Sequence, residues 1–345
     1  MAQIELTQPS PLLKPDGTLA QVGWSRQPIV DCNLESAHFY SLWFLQRLRI
    51  KRWDYYAATS PTHFFSATLA DLGYAGQAFI YLINFATGEY HEAALTVALS
   101  RGITLPRNST DGDSIFDNGK VRLAFRHEAD ERHISVVWPQ FAGKDLAADV
   151  RLRLKSDHES MAIVIPMNNP RRFYYNRKIN CLPADGHVSW GADRFDFKPT
   201  DTLGNLDWGR GIWDYRSFWV WASASGFLPD GRTIGLNLGF GFGDTSQATE
   251  NALILNGRVH KFAQVDFQYS SQDFKRPWKM SSPDGRLDLE FTPFIERVAK
   301  TNLLIITSEV HQMFGRYRGT VITDDGEAIH IDGLIGWAEE HQAHW

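Results

Sequence analysis

The chain has 345 residues, and 35 Lys+Arg against 40 Asp+Glu leave a net charge of −5, which argues against a general nucleic-acid binder. Hydrophobic residues make 43% of it, and 22 Phe, 12 Trp and 11 Tyr exclude intrinsic disorder for most of its length. No apolar run reaches the roughly 18 residues of a membrane helix. MAQIELTQPSPLL lacks the pattern of a secretory leader, and Cys32 and Cys181 are too few for a disulfide framework or a cysteine metal site, so a reduced, cytoplasmic protein is expected.

Residues 1–50 read as irregular, punctuated by Pro9, Pro11, Pro15, Gly17 and Pro28. Within them Ser36–Ile50 (SAHFYSLWFLQRLRI) suits either one short helix or an extended segment. From Lys51 onward, short runs rich in Val, Ile, Phe, Tyr and Trp alternate with turn clusters, the signature of an all-β fold. In Lys120–Phe125, Val121, Leu123 and Phe125 share one face. In Asp149–Leu154, Val150, Leu152 and Leu154 alternate with Arg151 and Arg153, as in strands with one dry side. His133–Trp138 and Met161–Ile165 are more continuous apolar runs. Asp117-Asn118-Gly119, Asp185-Gly186, Asp230-Gly231, Asn256-Gly257, Asp284-Gly285 and Asp325-Gly326 are hairpin formers and predict a meander. Pro166–Asp185 is the least regular internal stretch. The expected division is therefore an irregular segment over 1–50 and two β-barrel-like domains over 51–175 and 176–345. A long β chain must close or cover its edges, so two antiparallel barrels or strongly curved sheets packed together, with few short helices, are predicted. Gly239–Gly243 (GFGFG) resembles a phosphate loop, but Phe240 and Phe242 alternate with the glycines and suit a bent strand better. The last block, Gly336–Trp345 (GWAEEHQAHW), reads as a frayed terminal helix with Glu340 and His344 on one face.

The densest chemistry lies in Leu206–Trp221 (LDWGRGIWDYRSFWVW), where Asp207, Arg210, Asp214 and Arg216 stand among Trp208, Trp213, Trp219 and Trp221. A carboxylate among indoles either pairs with an arginine or has a raised pKa. The first case is an ion pair that fixes the turn at Gly209 and Gly211, with Asp207 and Arg210 as partners. The second is a general acid. In Thr249-Glu250-Asn251 only one of Glu250 and Asn251 can face a given cavity if the segment is extended. In Ser308–Gly315, Glu309 and His311 share a face with Met313, which makes either an acid/base unit or a salt-bridged surface strand. The catalytic candidates are thus Asp207, Arg210, Asp214, Glu250, Glu309 and His311, and the binding candidates Trp208, Trp213, Trp219, Trp221 and Asn251. No HExxH, Gly-x-Ser-x-Gly or zinc-type Cys/His spacing occurs, so neither a metal nor a cofactor is expected.

KRWDYYAATSPTHFFSATLADLGYAGQAFIYL, LDWGRGIWDYRSFWVWASASG, GRTIGLNLG, TENALILNGRVHK, RPWKM, FTPFIERVAKTNL, SEVHQMFGRYRGTV and GWAEEHQAHW, in this order, resemble the domain-of-unknown-function family 2804 (DUF2804) over about Leu12–Trp345. The resemblance implies a relation in fold to lipocalin-like AttH proteins, carotenoid hydratases and tocopherol cyclases, with paired barrels around an apolar cavity. In the hydratases and cyclases of that group an aspartic acid among aromatics protonates an alkene, and the rings stabilise the cation. The choice of Asp207 for that role comes from its setting in this chain.

Three functions follow from these residues. The first is a cofactor-independent enzyme using acid catalysis on a lipid-like or isoprenoid substrate, as a hydratase, cyclase or isomerase. The second is a carrier of a hydrophobic small molecule. The third is a carbohydrate-active enzyme with paired carboxylates about 5–10 Å apart. The expected partner in each is a small molecule, with no nucleic acid and no integral membrane segment.

Overall fold

Alternating apolar and polar residues become antiparallel strands almost throughout the computed structural model, which describes residues 3–303 and 306–344. In Lys144–Arg153, Leu146, Ala148, Val150 and Leu152 turn inward while the residues between them face outward. The continuous run Met161–Pro166 has both faces covered, Ala162 and Val164 by one apolar cluster and Met161, Ile163 and Ile165 by another, while Phe173–Trp190 and Gly23–Ser25 pair with its two edges. Five of the six turn dipeptides make turns, with Gly119, Gly231, Gly257, Gly285 and Gly326 all at φ between 75° and 90°. Asp185-Gly186 does not. It lies inside Phe173–Trp190, where Gly186 is flanked by Val150 and Phe197. A Cβ there would overlap the carbonyl of Asp149, so the glycine serves close backbone approach.

Two strongly curved sheets result. The first runs, in hydrogen-bonded order, Tyr90–Ala98, Ala75–Asn84, His63–Asp71, Lys51–Thr59, Leu203–Ile212, Phe173–Trp190, Lys144–Arg153, Glu131–Phe141, Arg122–Glu128, Ser114–Asp117 and Ile103–Thr104. The second runs Arg258–Lys261, Ala252–Leu255, Thr233–Phe240, Arg216–Phe227, Ala328–His344, Ile306–Ile322, Leu287–Leu303, Trp278–Ser281 and Asp266–Gln268. The point between residues 175 and 176 falls within Phe173–Trp190, and Leu203–Ile212 pairs with Lys51–Thr59 far upstream. By sheet membership the chain crosses over between Ile212 and Arg216. Each sheet wraps its own core, one including Phe65, Leu123, Phe173 and Trp208, the other Leu236, Trp278, Phe291 and Tyr317. A third cluster, with Tyr55, Phe64, Trp221, Phe314 and Trp337, joins them. Asn180 Nδ2 donates to Ser223 Oγ at 2.9 Å, and Arg297 Nε to Glu92 Oε2 at 2.7 Å, each contact spanning the two sheets.

Among the described residues, neither stretch with a helical reading, Ser36–Ile50 or the tail, forms an α-helix. Over Ser36–Ile50 the chain makes only the short 3₁₀ turns Leu34–Ser36 and Trp43–Leu48. Gln46 Oε1 accepts from the amides of Phe39 and Tyr40 at 2.7 and 2.8 Å, so a side chain supplies the hydrogen bonds that helical carbonyls would have given. The tail is strand Ala328–His344, paired on both sides with Arg216–Phe227 and Ile306–Ile322; Trp345 lies outside the described residues. Pairing on two edges overrides the weak i, i+4 signal of Glu340 and His344.

Candidate functional site

A pocket of about 620 Å³ lies between the sheets. Its walls follow from register. Across the first sheet one cross-strand row reads Lys178, Asp207, Tyr55, Thr68, Phe79 and Ala94, and every member lines the pocket. Across the second sheet one row reads Trp221, Glu339, Gln312 and Arg297, and the next reads Trp219, His341, Val310 and Ala299. These line it too. Period-two alternation sends the next residue on each strand to the other face.

Lys178 is the centre of charge on the first wall. Its Nζ lies 2.7 Å from Asp207 Oδ2, 3.6 Å from Glu250 Oε2 and 3.9 Å from the centre of the Trp221 ring. Asn176 Nδ2 donates to Asp207 Oδ1 at 2.7 Å, so both oxygens of this carboxylate are engaged. Asn237 accepts the Trp221 indole N–H at 2.8 Å and donates to Glu250 Oε2 at 3.2 Å. Glycines make room for this wall. A Cβ at Gly239 would overlap Glu250, and one at Gly209 would overlap the Trp53 ring. Gly209→Ala is expected to cost about 1–3 kcal/mol through this overlap, read as a lower urea midpoint, with no loss if Trp53 swings clear.

On the second wall the decisive group is Glu339. Trp219 Nε1 donates to its Oε1 at 3.2 Å and Gln312 Nε2 to its Oε2 at 3.0 Å. Burial pushes its carboxyl up to about 7, against the pull of the Trp219 N–H and the positive charges of Lys178 and Arg297. It is therefore poised between acid and base near neutrality. His341, two residues on, packs at a tilt of 47° against Trp219 with ring centres 4.0 Å apart and hydrogen-bonds Ser308 Oγ at 2.7 Å. Burial pushes its imidazole down to about 3, keeping it neutral at physiological pH. Tyr55 and Tyr81 share a hydrogen bond of 3.0 Å in the same pocket.

Of the residues singled out from sequence, Asp207, Glu250, Trp213, Trp219 and Trp221 meet at the pocket. The others do not. Trp208 and Arg210 face the core of the first sheet; Arg210 pairs with Asp54 at 2.8 Å instead of Asp207 and stacks on Trp208 at 4.3 Å. Asp214 sits outside the pocket lining, bound by Arg172 and by Asn168 Nδ2, the latter at 3.0 Å. Asn251 is not among the pocket-lining residues; its Oδ1 accepts the Gly239 amide at 2.7 Å. Glu309 and His311 do pair, at 2.9 Å, and His311 also binds Glu296 at 2.9 Å and stacks on Phe274. Their face is the reverse of the one that carries Ser308, Val310 and Gln312 into the pocket. Lys178, Arg297, Gln312, Glu339 and His341 went unnoticed as site residues. A period-two reading of the tail would have put Glu339 and His341 on one face.

The DUF2804 profile, described as a domain of unknown function, matches residues 3–345. The chain belongs to the DUF2804 family. No curated protein matches it. Among solved structures, this DUF2804 chain is similar to a candidate AttH protein of Nitrosomonas europaea, with 14% identity, 85% of this chain and 92% of that one covered, and a TM-score of 0.51. It is also similar to kievitone hydratase from Nectria haematococca, with 10% identity, 85% and 88% covered, and a TM-score of 0.48. The AttH likeness shows a shared fold, as the lipocalin-like resemblance implied; residue roles in the DUF2804 chain come from its own geometry. Among the described residues no cluster of His, Cys, Asp or Glu is arranged to hold a metal ion.

Proposed function

We propose that this protein is a cofactor-independent enzyme that transfers a proton to a largely apolar, lipid-like or isoprenoid molecule, as a hydratase, cyclase or isomerase does. The observation that carries this reading is Glu339: an enclosed carboxyl, raised to about 7 by burial, on a wall shared with Trp219 and Trp221. Asp207 gives up the role foreseen for it, because Lys178 and Asn176 already occupy its oxygens. It holds Lys178 in place and leaves proton donation to Glu339.

In this mechanism Glu339 gives its proton to one carbon of a double bond. The positive charge that forms on the neighbouring carbon meets the aromatic rings that line the pocket, and cation–π attraction lowers its energy. Water captures the cation in a hydration, or a hydroxyl of the substrate in a cyclisation, and the oxonium so formed gives its extra proton back to the Glu339 carboxylate. In an isomerisation an adjacent C–H returns its proton to the Glu339 carboxylate. A second reading, carbohydrate chemistry, is favoured by one observation: Asp207, Glu250 and Glu339 all face the pocket beside indoles.

The test is incubation with a panel of isoprenoid alkenes, prenylated phenols, unsaturated fatty acids and aryl glycosides, followed by mass spectrometry. A product heavier by one water, or an isomer of equal mass, is the expected result. Cleaved glycosides would replace this reading with the second, and binding without any product would make the protein a carrier.

A further inference from the structure

The largest unexplained feature lies beside the pocket. Leu42, Trp43 and Phe44 are 52%, 83% and 55% exposed, on the tip that begins the 3₁₀ turn Trp43–Leu48. Tyr40, and Leu99 from another part of the chain, are exposed as well. Single exposed apolar residues are ordinary, but a run of adjacent ones is not. The tip is also built. Gln46 ties down Phe39 and Tyr40. Phe39 is covered by the guanidinium groups of Arg49 and Arg172 at 4.9 and 5.0 Å. Arg47 Nη2 donates to the Leu99 carbonyl at 2.8 Å and Arg49 Nη2 to the Trp213 carbonyl at 2.9 Å. A Cβ at Gly73 would overlap the Arg47 carbonyl, so the tip rests directly on the turn after Leu72. Leu72 and Trp213 both line the pocket.

We propose that this tip is an interfacial anchor that seats the pocket side of the protein on a phospholipid surface. Two features favour a bilayer over a protein partner. The apolar side chains stand on a short turn that is exposed at every position from Ser41 to Phe44, and none of Leu42, Trp43 and Phe44 lines the pocket. A bilayer interface accepts such a tip without matching its shape, and indole, phenyl and leucyl side chains are the groups that settle there. Charge agrees. Arg47 and Arg49 are bound to carbonyl oxygens, and among the described residues neither has a carboxylate at ion-pair distance. Two guanidinium groups thus stand next to the exposed tip in the chain, where lipid phosphates can accept from them. No helix of the described residues is long and apolar enough to cross a membrane. In the reading above, the bilayer is the source of the apolar substrate. The contact itself is measured without turnover, so either idea fails without the other.

The experiment is co-sedimentation of the full chain with phosphatidylcholine vesicles, with and without added phosphatidylglycerol. The protein is expected to sediment with vesicles, more so with the anionic lipid. The double variant Trp43→Ala/Phe44→Ala is expected to lose affinity by about tenfold or more, and Arg47→Gln to lose the preference for phosphatidylglycerol. Protein left in the supernatant with both vesicle types overturns the proposal. So does a double variant that binds as well as the parent. A dimer in light scattering that the double variant abolishes would assign the tip to a second copy of the chain and overturn it too.

Discussion

Glu339→Gln is expected to lower turnover by about 10²–10⁴-fold, the usual contribution of a positioned general acid. Glutamine preserves volume; its oxygen can accept from Trp219 and its N–H₂ can donate to Gln312 once the Gln312 amide turns its oxygen inward, so the wall keeps its shape while the proton is lost. In the parent, rate is expected to fall as pH rises through about 7, because only the protonated carboxyl can donate. The variant's residual rate should lack that step. Stability gives an independent readout. The folded-state pKa lies above the ordinary 4.5, so the folded chain holds a proton that the unfolded chain releases. The stabilisation is full below about 4.5 and is lost as pH rises through about 7. Urea unfolding should therefore show the parent weakening across that window and Glu339→Gln changing less. A variant with parental turnover, or with the parental pH profile, removes Glu339 from the mechanism.

The second large effect is structural. Arg210→Met is expected to destabilise the protein by about 3–5 kcal/mol, the cost of leaving a buried charge without its partner. Arg210 and Asp54 are 0% and 3% exposed at their side chains. Arg210 also donates to the carbonyls of Trp53, Gly209 and Pro106, at 2.9, 2.9 and 3.1 Å. Without it Asp54 keeps, among the described residues, only the hydroxyl of Ser114 as a hydrogen-bond partner. Adding Asp54→Leu should recover part of the loss, since an apolar pair can replace a buried ion pair at little cost. A loss under about 1 kcal/mol in the single variant would mean that water reaches Asp54. Neither residue touches the pocket, so any change in turnover would come through Trp53, which shares the strand of Asp54 and lines the pocket.

How far the site was legible follows from what its residues depend on. Trp213, Trp219, Trp221 and Asp207 stood out because acids and indoles cluster locally, and Glu250 because it precedes an apolar run. Trp208 and Arg210 failed for a reason the same text contained: on a strand each lies an odd number of residues from Asp207, so each faces the other way. Lys178 and Gln312 carry no local signal, since isolated polar residues inside strands are common. They became site residues when register set Lys178 opposite Asp207 and Gln312 opposite Glu339.

Alone, the sequence determined the antiparallel β class, most turns and the local clustering of aromatic residues, because side-chain alternation and left-handed turn geometry are properties of neighbouring residues. Which sheet each strand joins, which faces meet and which acid is shut away from water were decided only in the tertiary structure. Those depend on pairings such as Leu203–Ile212 with Lys51–Thr59 and Arg216–Phe227 with Ala328–His344, more than a hundred residues apart. The carboxyl of Glu339 is ordinary until Trp219, Gln312 and the opposing sheet close over it, and its raised proton affinity exists only in that enclosure.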